Sequence, residues 1–247
     1  MLIDDVTWDD LAAMIPWLSE QDPFPPVEEA MTDPNGLLAA GADLSTDRLL
    51  DAYVRGIFPW FGEDDPLLWW SPDPRMVLMV NELHVSRSLR RVIRSGRYRV
   101  TLDTAFADVM TGCAEPRDDQ AGTWITAEMV EAYTRLAAFG FGHSVEVWEG
   151  SDLVGGLYGV AIGRMFFGES MFSRRTDASK VALATLVWQL ERWGFEMVDC
   201  QMATTHLASL GAREIPRAEF AKRLERLANL PAVKSPWVLD SDLYNRD

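Results

Sequence analysis

The sequence predicts a mixed α/β (α+β) protein with a largely antiparallel sheet. Two apolar segments, 153–162 and 164–172, are separated only by Gly163, which is typical of paired neighbouring strands. Segment 127–139 instead carries apolar residues at helical spacing, and segment 178–193 reads as a long helix. Strands and helices are therefore interspersed along the chain, in the order helix, three strands, helix, strand, helix.

The N-terminal part is predicted to contain one helix and an irregular junction. Ser45 is a suitable N-cap for a helix over 46–55, and Gly56 ends that helix. The junction 56–75, GIFPWFGEDDPLLWWSPDPR, has too many Pro, Gly and Asp residues for a helix. It is also too aromatic for an ordinary surface loop. The apolar segment MVLMV at 76–80 then begins the larger sheet as a short buried strand.

The middle of the chain supplies further elements. An arginine-rich segment after HVS is predicted to be a helix, followed by a strand at 98–103. Thr126 is a suitable cap for the helix over 127–139. SVEVW at 144–148 alternates in polarity and is predicted to be a strand, with EGSD as the turn after it.

The C-terminal part is predicted to begin with a helix over 178–193, capped by Asp177. A buried strand over 195–202, a helical turn over 204–210 and a helix over 216–229 complete the order.

Composition indicates a folded protein of a reducing compartment. Hydrophobic residues make up 48% of the 247 residues, and there are only two cysteines. The first basic residue is Arg48, so the chain opens without the positive segment of a secretory signal. No apolar run approaches the roughly 18 residues of a membrane span. We expect a soluble, cytoplasmic monomer with no membrane contact.

The negative charge is concentrated at one end. The formal net charge is −15, yet residues 1–65 hold fifteen Asp and Glu against two Arg. The remaining chain is nearly balanced, with 23 acidic and 21 basic residues. Within it, SRSLRRVIRSGRYR forms a basic block, whose arginines are Arg87, Arg90, Arg91, Arg94, Arg97 and Arg99. Guanidinium groups match phosphate oxygens, so the block is a candidate phosphate-binding surface; a solvated helix face is the alternative.

Several kinds of chemistry lack a motif in this sequence. The three histidines, His84, His143 and His206, are not at ligand spacing, and neither a Walker motif nor a GxGxxG sequence is present. GESMF resembles the start of a nucleophile elbow at Ser170, but Phe172 replaces the final glycine. We therefore expect no metal and no cofactor.

Two polar features remain in apolar surroundings. On the strand 195–202, alternation places Asp199 and Gln201 on one face and Cys200 on the other. Buried polar groups must be paired or open into a cleft, so the two residues mark a candidate site. An Asp–Gln pair that caps a neighbouring helix is the structural alternative.

Glu169 is the second feature, because it stands alone between MFFG and SMF. A lone acid in an apolar strand is either a site residue or half of a buried salt bridge. Arg164, Arg174 or Arg175 would be the partner in the second case.

Together these segments resemble a known family. GIFPWF, LLWWSPDPR, GTWIT, GLYGVAIGRMFFGESMFSR, ASK and VDCQ…HLASLGAREIPR occur in the order seen in bacterial leucyl/phenylalanyl-tRNA–protein transferases. The resemblance covers most of the chain, from about 34–45 to 213–217. It implies a small N-terminal domain, placed at 1–74, and a domain like that of Gcn5-related acetyltransferases, placed at 75–247.

The resemblance also implies an activity. Members of this family move Leu, Phe or Met from aminoacyl-tRNA to an N-terminal Arg or Lys of an acceptor protein, which marks that protein for degradation by the N-end rule. They work without metal or coenzyme A. Arg87, Arg90, Arg91 and Arg94 are then expected to contact phosphates along the acceptor stem.

Site roles follow by the same resemblance. Trp60 and Trp124 match tryptophans that hold the terminal adenosine and its amino acid, and Tyr53 and Tyr133 fall at site positions. The polar residues of the reaction centre are Glu169, Asp199 and Gln201. The walls of an apolar aminoacyl pocket are assigned to Met165, Met171 and Phe172.

The expected chemistry is attack of an α-amine on an activated ester, which mainly requires alignment of the reactants. Glu169 and Asp199 have the right sign to receive the acceptor's positive charges, and Asp199 is expected to orient Gln201. Glutamine is a poor base, so proton transfer assisted by a ribose hydroxyl stays open.

Two other functions are alternatives to this one. A coenzyme A-dependent acetyltransferase needs a glycine-rich pyrophosphate loop, whereas the corresponding loop here reads SRRTDASK. A non-catalytic RNA-binding or adaptor protein is the second alternative.

Overall fold

The computed structural model describes residues 14–62, 64–115 and 125–243, and its strands form two sheets. The smaller sheet has four strands in the order β1-β2-β4-β3. Its strands are β1 (Trp17–Leu18), β2 (Leu37–Gly41), β3 (Phe58–Pro59) and β4 (Leu68–Trp70).

The larger sheet has seven strands in the order β11-β5-β10-β9-β8-β7-β6. They are β5 (Arg75–Met79), β6 (Arg99–Leu102), β7 (Gly142–Glu149), β8 (Asp152–Ile162), β9 (Met165–Ser173), β10 (Met197–Gln201) and β11 (Arg213–Ile215). All neighbouring pairs are antiparallel except β9 and β10, which run parallel. The predicted mixed α/β class with a largely antiparallel sheet is therefore confirmed.

Seven α-helices occur among the described residues. They are α1 (Thr46–Val54), α2 (Arg87–Arg94), α3 (Phe106–Ala114), α4 (Ala127–Ala138), α5 (Ala178–Arg192), α6 (Thr205–Ser209) and α7 (Arg217–Ala228). Short 3-10 turns lie at Val27–Glu29 and Val80–Glu82. No helix of the described residues has the length and apolar character needed to cross a bilayer.

The core divides into two clusters, one on each face of the larger sheet. The first cluster contains buried side chains of α1, α3, α4 and α7 together with buried residues from each strand of the small sheet. The second contains the buried faces of α2 and α5. The small sheet thus shares a core with β5 and β9, and the domain boundary between residues 74 and 75 stays a prediction.

Local signals located most helix ends correctly. Ser45 Oγ accepts from Arg48 N at 3.3 Å and Thr126 Oγ1 accepts from Met129 N at 3.3 Å, so both predicted caps are confirmed. Asp177 is the residue before α5, as predicted, but its side chain does not cap the helix. Asp177 has a φ of 64° and no capping hydrogen bond, and its carboxylate pairs with Lys180 Nζ at 3.1 Å.

The sequence interpretation missed helix α3 and five strands: β1, β2, β3, β4 and β11. The start of α3 is capped by a residue distant in sequence. Ala105 N donates to Glu146 Oε1 at 3.3 Å, and Glu146 lies on β7, 41 residues further along the chain. Such a cap leaves no mark in the local sequence, since local cap prediction reads only neighbouring side chains.

Candidate active site

The site lies where β9 and β10, the one parallel pair among the described strands of the larger sheet, end. β9 and β10 are paired from Met197 opposite Met165 to Asp199 opposite Phe167. The register between β10 and its other neighbour, β5, then shifts between Asp199 and Gln201. An irregularity of this kind redirects side chains from the regular alternation. Glu169 of β9 and Gln201 of β10 therefore face each other beyond the paired segment.

A chain of hydrogen bonds connects the two strands. Gln201 Nε2 donates to Glu169 Oε1 at 3.0 Å, and Gln201 N donates to Asp199 Oδ1 at 2.9 Å. Gln201 has a φ of 62°, a left-handed conformation that is uncommon for a residue with a side chain. Asp199 thus supports a strained backbone at the position that presents the glutamine side chain.

Two tyrosines complete the network on the helical side. Tyr133 of α4 donates its hydroxyl to Glu169 Oε2 at 3.1 Å, and the Tyr53 hydroxyl of α1 contacts that of Tyr133. Each hydroxyl has one proton. Since Tyr133 gives its proton to the carboxylate, Tyr53 donates to Tyr133. The order Tyr53, Tyr133, Glu169 is therefore a directed chain that ends on the carboxylate.

Burial controls the ionisation of this chain. The pKa of Glu169 is raised from 4.5 to about 7, mainly because the side chain is buried. The nearby charge of Asp199 acts in the same direction, while the hydrogen bond from Tyr133 and the charge of Arg75 oppose the increase. The pKa values of both tyrosines lie well above 10, mainly because of burial. Glu169 is therefore the member of the network that exchanges a proton near neutral pH.

Arg75 is the site residue that the sequence interpretation missed. Its guanidinium donates from Nε to Asp199 Oδ1 at 2.8 Å and from Nη2 to Asp199 Oδ2 at 2.7 Å. Both side chains are at most 1% exposed. Arg75 ends the SPDPR motif, but the partner is 124 residues away, so no local pattern indicated the pair.

This pairing corrects two expectations about Asp199. Its carboxylate does not cap a helix, because both oxygens accept from Arg75. It also does not receive the charge of an acceptor, because a carboxylate that is buried and already paired with a cation has no free charge to offer. The expectation that Asp199 orients Gln201 agrees with the bond to Gln201 N.

The salt-bridge alternative for Glu169 is wrong. Arg174 pairs with Glu115, and Arg175 lies 3.6 Å from Glu149. Arg164 lies over the Phe195 ring, with its Cζ atom 5.7 Å from the centroid. Glu169 is bonded by neutral donors instead, which leaves its charge uncompensated by direct contact with a cation.

The three residues assigned to an apolar wall do not share one wall. Met165 and Phe172 are buried in the first core cluster. Met171 packs against the second cluster, on the side of α5. Neighbouring strand residues point to opposite faces, which separates Met171 from Phe172.

The tryptophans of the junction have different environments. Trp60 is half-buried and meets the ring of Trp70 edge-on at 5.5 Å, and Trp70 Nε1 donates to Trp60 O at 2.6 Å. Trp69 is fully buried and donates to Gly41 O at 2.9 Å. Trp70 and Trp69 are thus structural, whereas Trp60 keeps an accessible surface. The predicted contact Trp124 lies outside the described residues.

Tyr158 of β8 was also not predicted. It is fully buried and meets the Tyr133 ring at 5.7 Å and the Phe106 ring at 5.9 Å. Its hydroxyl has no hydrogen-bond partner among the described residues. It therefore packs behind the tyrosine pair.

The basic block forms the outer face of α2. This helix buries Leu89 and Ile93 in the second core cluster, so it lies on the sheet face opposite to Tyr53 and Tyr133. Its arginines are exposed or half-buried: Arg87, Arg90, Arg91 and Arg94. Arg97 and Arg99 lie outside the helix; Arg97 pairs with Glu149 at 2.8 Å, and Arg99 lies over Trp148.

Within the described ranges, no group of three or more His, Cys, Asp or Glu side chains is arranged to hold a metal ion.

Two family models match the chain over much of its length. The model described as leucyl/phenylalanyl-tRNA protein transferase matches residues 77–225, and the model of that protein's N-terminal domain matches residues 42–73. The chain belongs to the leucyl/phenylalanyl-tRNA protein transferase family. Family members are aminoacyltransferases, so this chain is an enzyme of that class.

The sequences of two curated relatives are similar to this chain over nearly their whole length. The leucyl/phenylalanyl-tRNA–protein transferase of Nitrosospira multiformis is 60% identical over 229 residues, which covers 93% of this chain and 99% of the relative. That of Thiobacillus denitrificans is 61% identical over 218 residues, covering 88% and 96%.

Two solved structures resemble the transferase chain distantly. L-PGS from Bacillus licheniformis is 7% identical with a TM-score of 0.39, covering 68% of this chain and 54% of its own. A GCN5-related N-acetyltransferase-like protein from Streptococcus suis is 13% identical with a TM-score of 0.34, covering 72% and 67%. The fold class of the transferase therefore rests on its own strand order.

Proposed function

We propose that this chain transfers Leu, Phe or Met from aminoacyl-tRNA to the N-terminal Arg or Lys of acceptor proteins, which marks them for degradation by the N-end rule. The observation that supports the reaction centre is the contact between Gln201 and Glu169 at the end of the parallel strand pair. It brings an amide and an uncompensated carboxylate together beside a fully paired Asp199.

The reaction needs alignment and one proton transfer. The neutral α-amine attacks the ester carbonyl, a C–N bond forms, and the bond to the ribose oxygen breaks. The nitrogen loses one proton and the ribose oxygen gains one. Glu169, whose pKa is about 7, is suited to accept the proton and return it. Gln201 orients the amine without acting as a base.

Acceptor choice follows from the same carboxylate. An N-terminal Arg or Lys brings an α-ammonium group and a side-chain cation. The groups that donate hydrogen bonds to the Glu169 carboxylate, Tyr133 and Gln201, are neutral and not cationic. A cationic acceptor therefore gains more from this site than a neutral one. Asp199 contributes by holding Gln201.

The tRNA is assigned to two surfaces. Trp60 keeps one side accessible for stacking on the unpaired terminal adenine, a contact worth roughly 1–3 kcal/mol. Arg87, Arg90, Arg91 and Arg94 then neutralise phosphates of the acceptor stem. This binding is sensitive to salt and has little specificity for the nucleotide sequence of the tRNA.

Single-turnover transfer tests the proposal. Labelled Leu-tRNA is mixed with excess enzyme and peptides that begin with Arg, Lys, Ala or N-acetylated Arg. We expect labelled product from the first two peptides only, because the reaction needs both a free α-amine and a cationic side chain. Phe-tRNA and Met-tRNA are compared in the same assay.

Transfer to the Ala peptide at the rate of the Arg peptide would refute the acceptor assignment. Absence of transfer by correctly folded enzyme would refute the function as a whole. Acetyl-CoA in place of aminoacyl-tRNA serves as the control for an acetyltransferase, and we expect no product from it.

A further inference from the structure

The geometry points to Arg75 as the positioning residue that holds the segment 56–60, which ends in Trp60, at a fixed distance from the backbone of Gln201. The inference rests on the proposed function, since it concerns the two groups that we assign to the tRNA end and to the attacking amine. Arg75 does not reach either substrate. It acts through Asp199 on one side and through Gly56 and Phe58 on the other.

On the side of the reaction centre, Arg75 holds Asp199 by a bidentate pair. Its Nε and Nη2 atoms lie 2.8 and 2.7 Å from the two carboxylate oxygens. Asp199 Oδ1 also accepts from Gln201 N at 2.9 Å. Asp199 Oδ1 thus links the Arg75 guanidinium to Gln201, the residue in left-handed conformation whose side-chain amide contacts Glu169. The fork fixes the direction of both bonds.

On the side of the junction, the same guanidinium holds the residues that lead into β3 and on to Trp60. Nη1 donates to Gly56 O at 3.1 Å, and the guanidinium lies 4.7 Å from the Phe58 ring centroid. Phe58 pairs with Trp70, the residue against which Trp60 packs. The position of Trp60 is therefore coupled to the guanidinium plane.

A second ring closes the cage from the C-terminal helix. Phe220 of α7 lies on the guanidinium at 4.7 Å, the same distance as Phe58. A position between two ring faces suits a flat guanidinium better than an ammonium group. Lysine at this position keeps the charge but cannot hold two carboxylate oxygens and Gly56 O in one plane. Arg75→Lys therefore separates the effect of the positive charge from the effect of the guanidinium geometry.

The test compares Arg75→Lys, Arg75→Met, Asp199→Asn and the Arg75→Met/Asp199→Asn double variant. Arg226→Lys is the matched control, because Arg226 forms an exposed ion pair with Glu196. For Arg75→Lys we expect kcat to fall about 100-fold with KM values for both substrates within about threefold, since both substrates bind but are misaligned. Arg226→Lys retains wild-type rates.

The double variant separates a positioning role from stability alone. If Arg75 acts through Asp199, the double variant loses no more kcat than the worse single variant. It also folds better than Arg75→Met, because it no longer buries an unpaired carboxylate. Multiplicative losses of kcat, or a wild-type kcat in folded Arg75→Lys, would overturn the inference.

A measurement that does not require catalysis distinguishes a failure of this inference from a failure of the proposed function. The backbone amide proton of Gln201 is bonded to a charged carboxylate, so we expect its resonance to move in Arg75→Lys and to stay in Arg226→Lys. An unmoved resonance would overturn the linkage. Wild-type enzyme that transfers no amino acid would instead refute the proposed function while the resonance still reports on Arg75.

Discussion

Gln201 donates through Nε2 to Glu169 Oε1 at 3.0 Å, although the two residues are 32 positions apart and belong to different strands. The contact spans the end of the parallel pair β9–β10. It places the glutamine amide on a carboxyl group whose pKa is about 7. The other oxygen of that carboxyl accepts from Tyr133. The proposed reaction centre is thus joined to α4 as well as to both strands.

Replacement of Glu169 by Gln is expected to change how activity depends on pH. In the wild type the carboxyl loses its proton near pH 7, so the ratio of wild-type to variant kcat/KM rises between pH 6 and 8. The ratio removes the ionisation of the acceptor amine, which is common to both enzymes. A ratio that stays flat over this range would favour proton transfer through the ribose hydroxyl.

The same substitution is expected to alter stability in a predictable direction. The folded-state pKa of Glu169 is raised from 4.5 to about 7, so the folded state holds this proton more tightly than the unfolded chain. Its contribution is fully present below pH 4.5 and is lost as the pH rises through 7. The free energy of unfolding of the wild type therefore falls relative to Glu169→Gln over this window, by on the order of 3 kcal/mol. Urea denaturation at pH 4.5, 6 and 8 measures it, and an opposite slope would contradict the assignment.

Trp60→Ala is expected to weaken the use of aminoacyl-tRNA more than the use of acceptor peptide. Loss of one stacked base costs roughly 1–3 kcal/mol, which corresponds to an increase in the KM for aminoacyl-tRNA of about 5- to 150-fold. Trp17→Ala is the control, because Trp17 is 62% exposed and belongs to β1 at the edge of the small sheet. Equal losses for both substrates would remove Trp60 from the adenosine contact.

Charge reversal at Arg90 and Arg91 is expected to lower tRNA affinity and to flatten its dependence on salt. Each lost phosphate contact reduces the slope of log affinity against log salt by about 1. The control reverses Lys222 and Lys234, which are both exposed and give the same change in net charge. Filter binding from 50 to 300 mM salt provides the slopes, and an unchanged slope would make the block a solvated helix face.

The sequence by itself determined the fold class and the family. Helices α1 and α4 begin at Ser45 and Thr126 because cap signals are local, and the β8–β9 pair follows from two apolar segments around Gly163. The motifs in their order identified the family without reference to contacts. Glu169 and Gln201 are also predictable from the sequence, because a polar group in an apolar strand must be paired or open into a cleft.

Only the tertiary structure decided what each polar group is bonded to. Arg75 and Asp199 are 124 residues apart, and the cap of α3 comes from Glu146 on another strand. The face on which Met171 lies, and the neutral partners of Glu169, depend on the same long-range packing. Hydrophobic periodicity and caps are short-range signals, whereas the pairing of buried charges is set by which strands become neighbours.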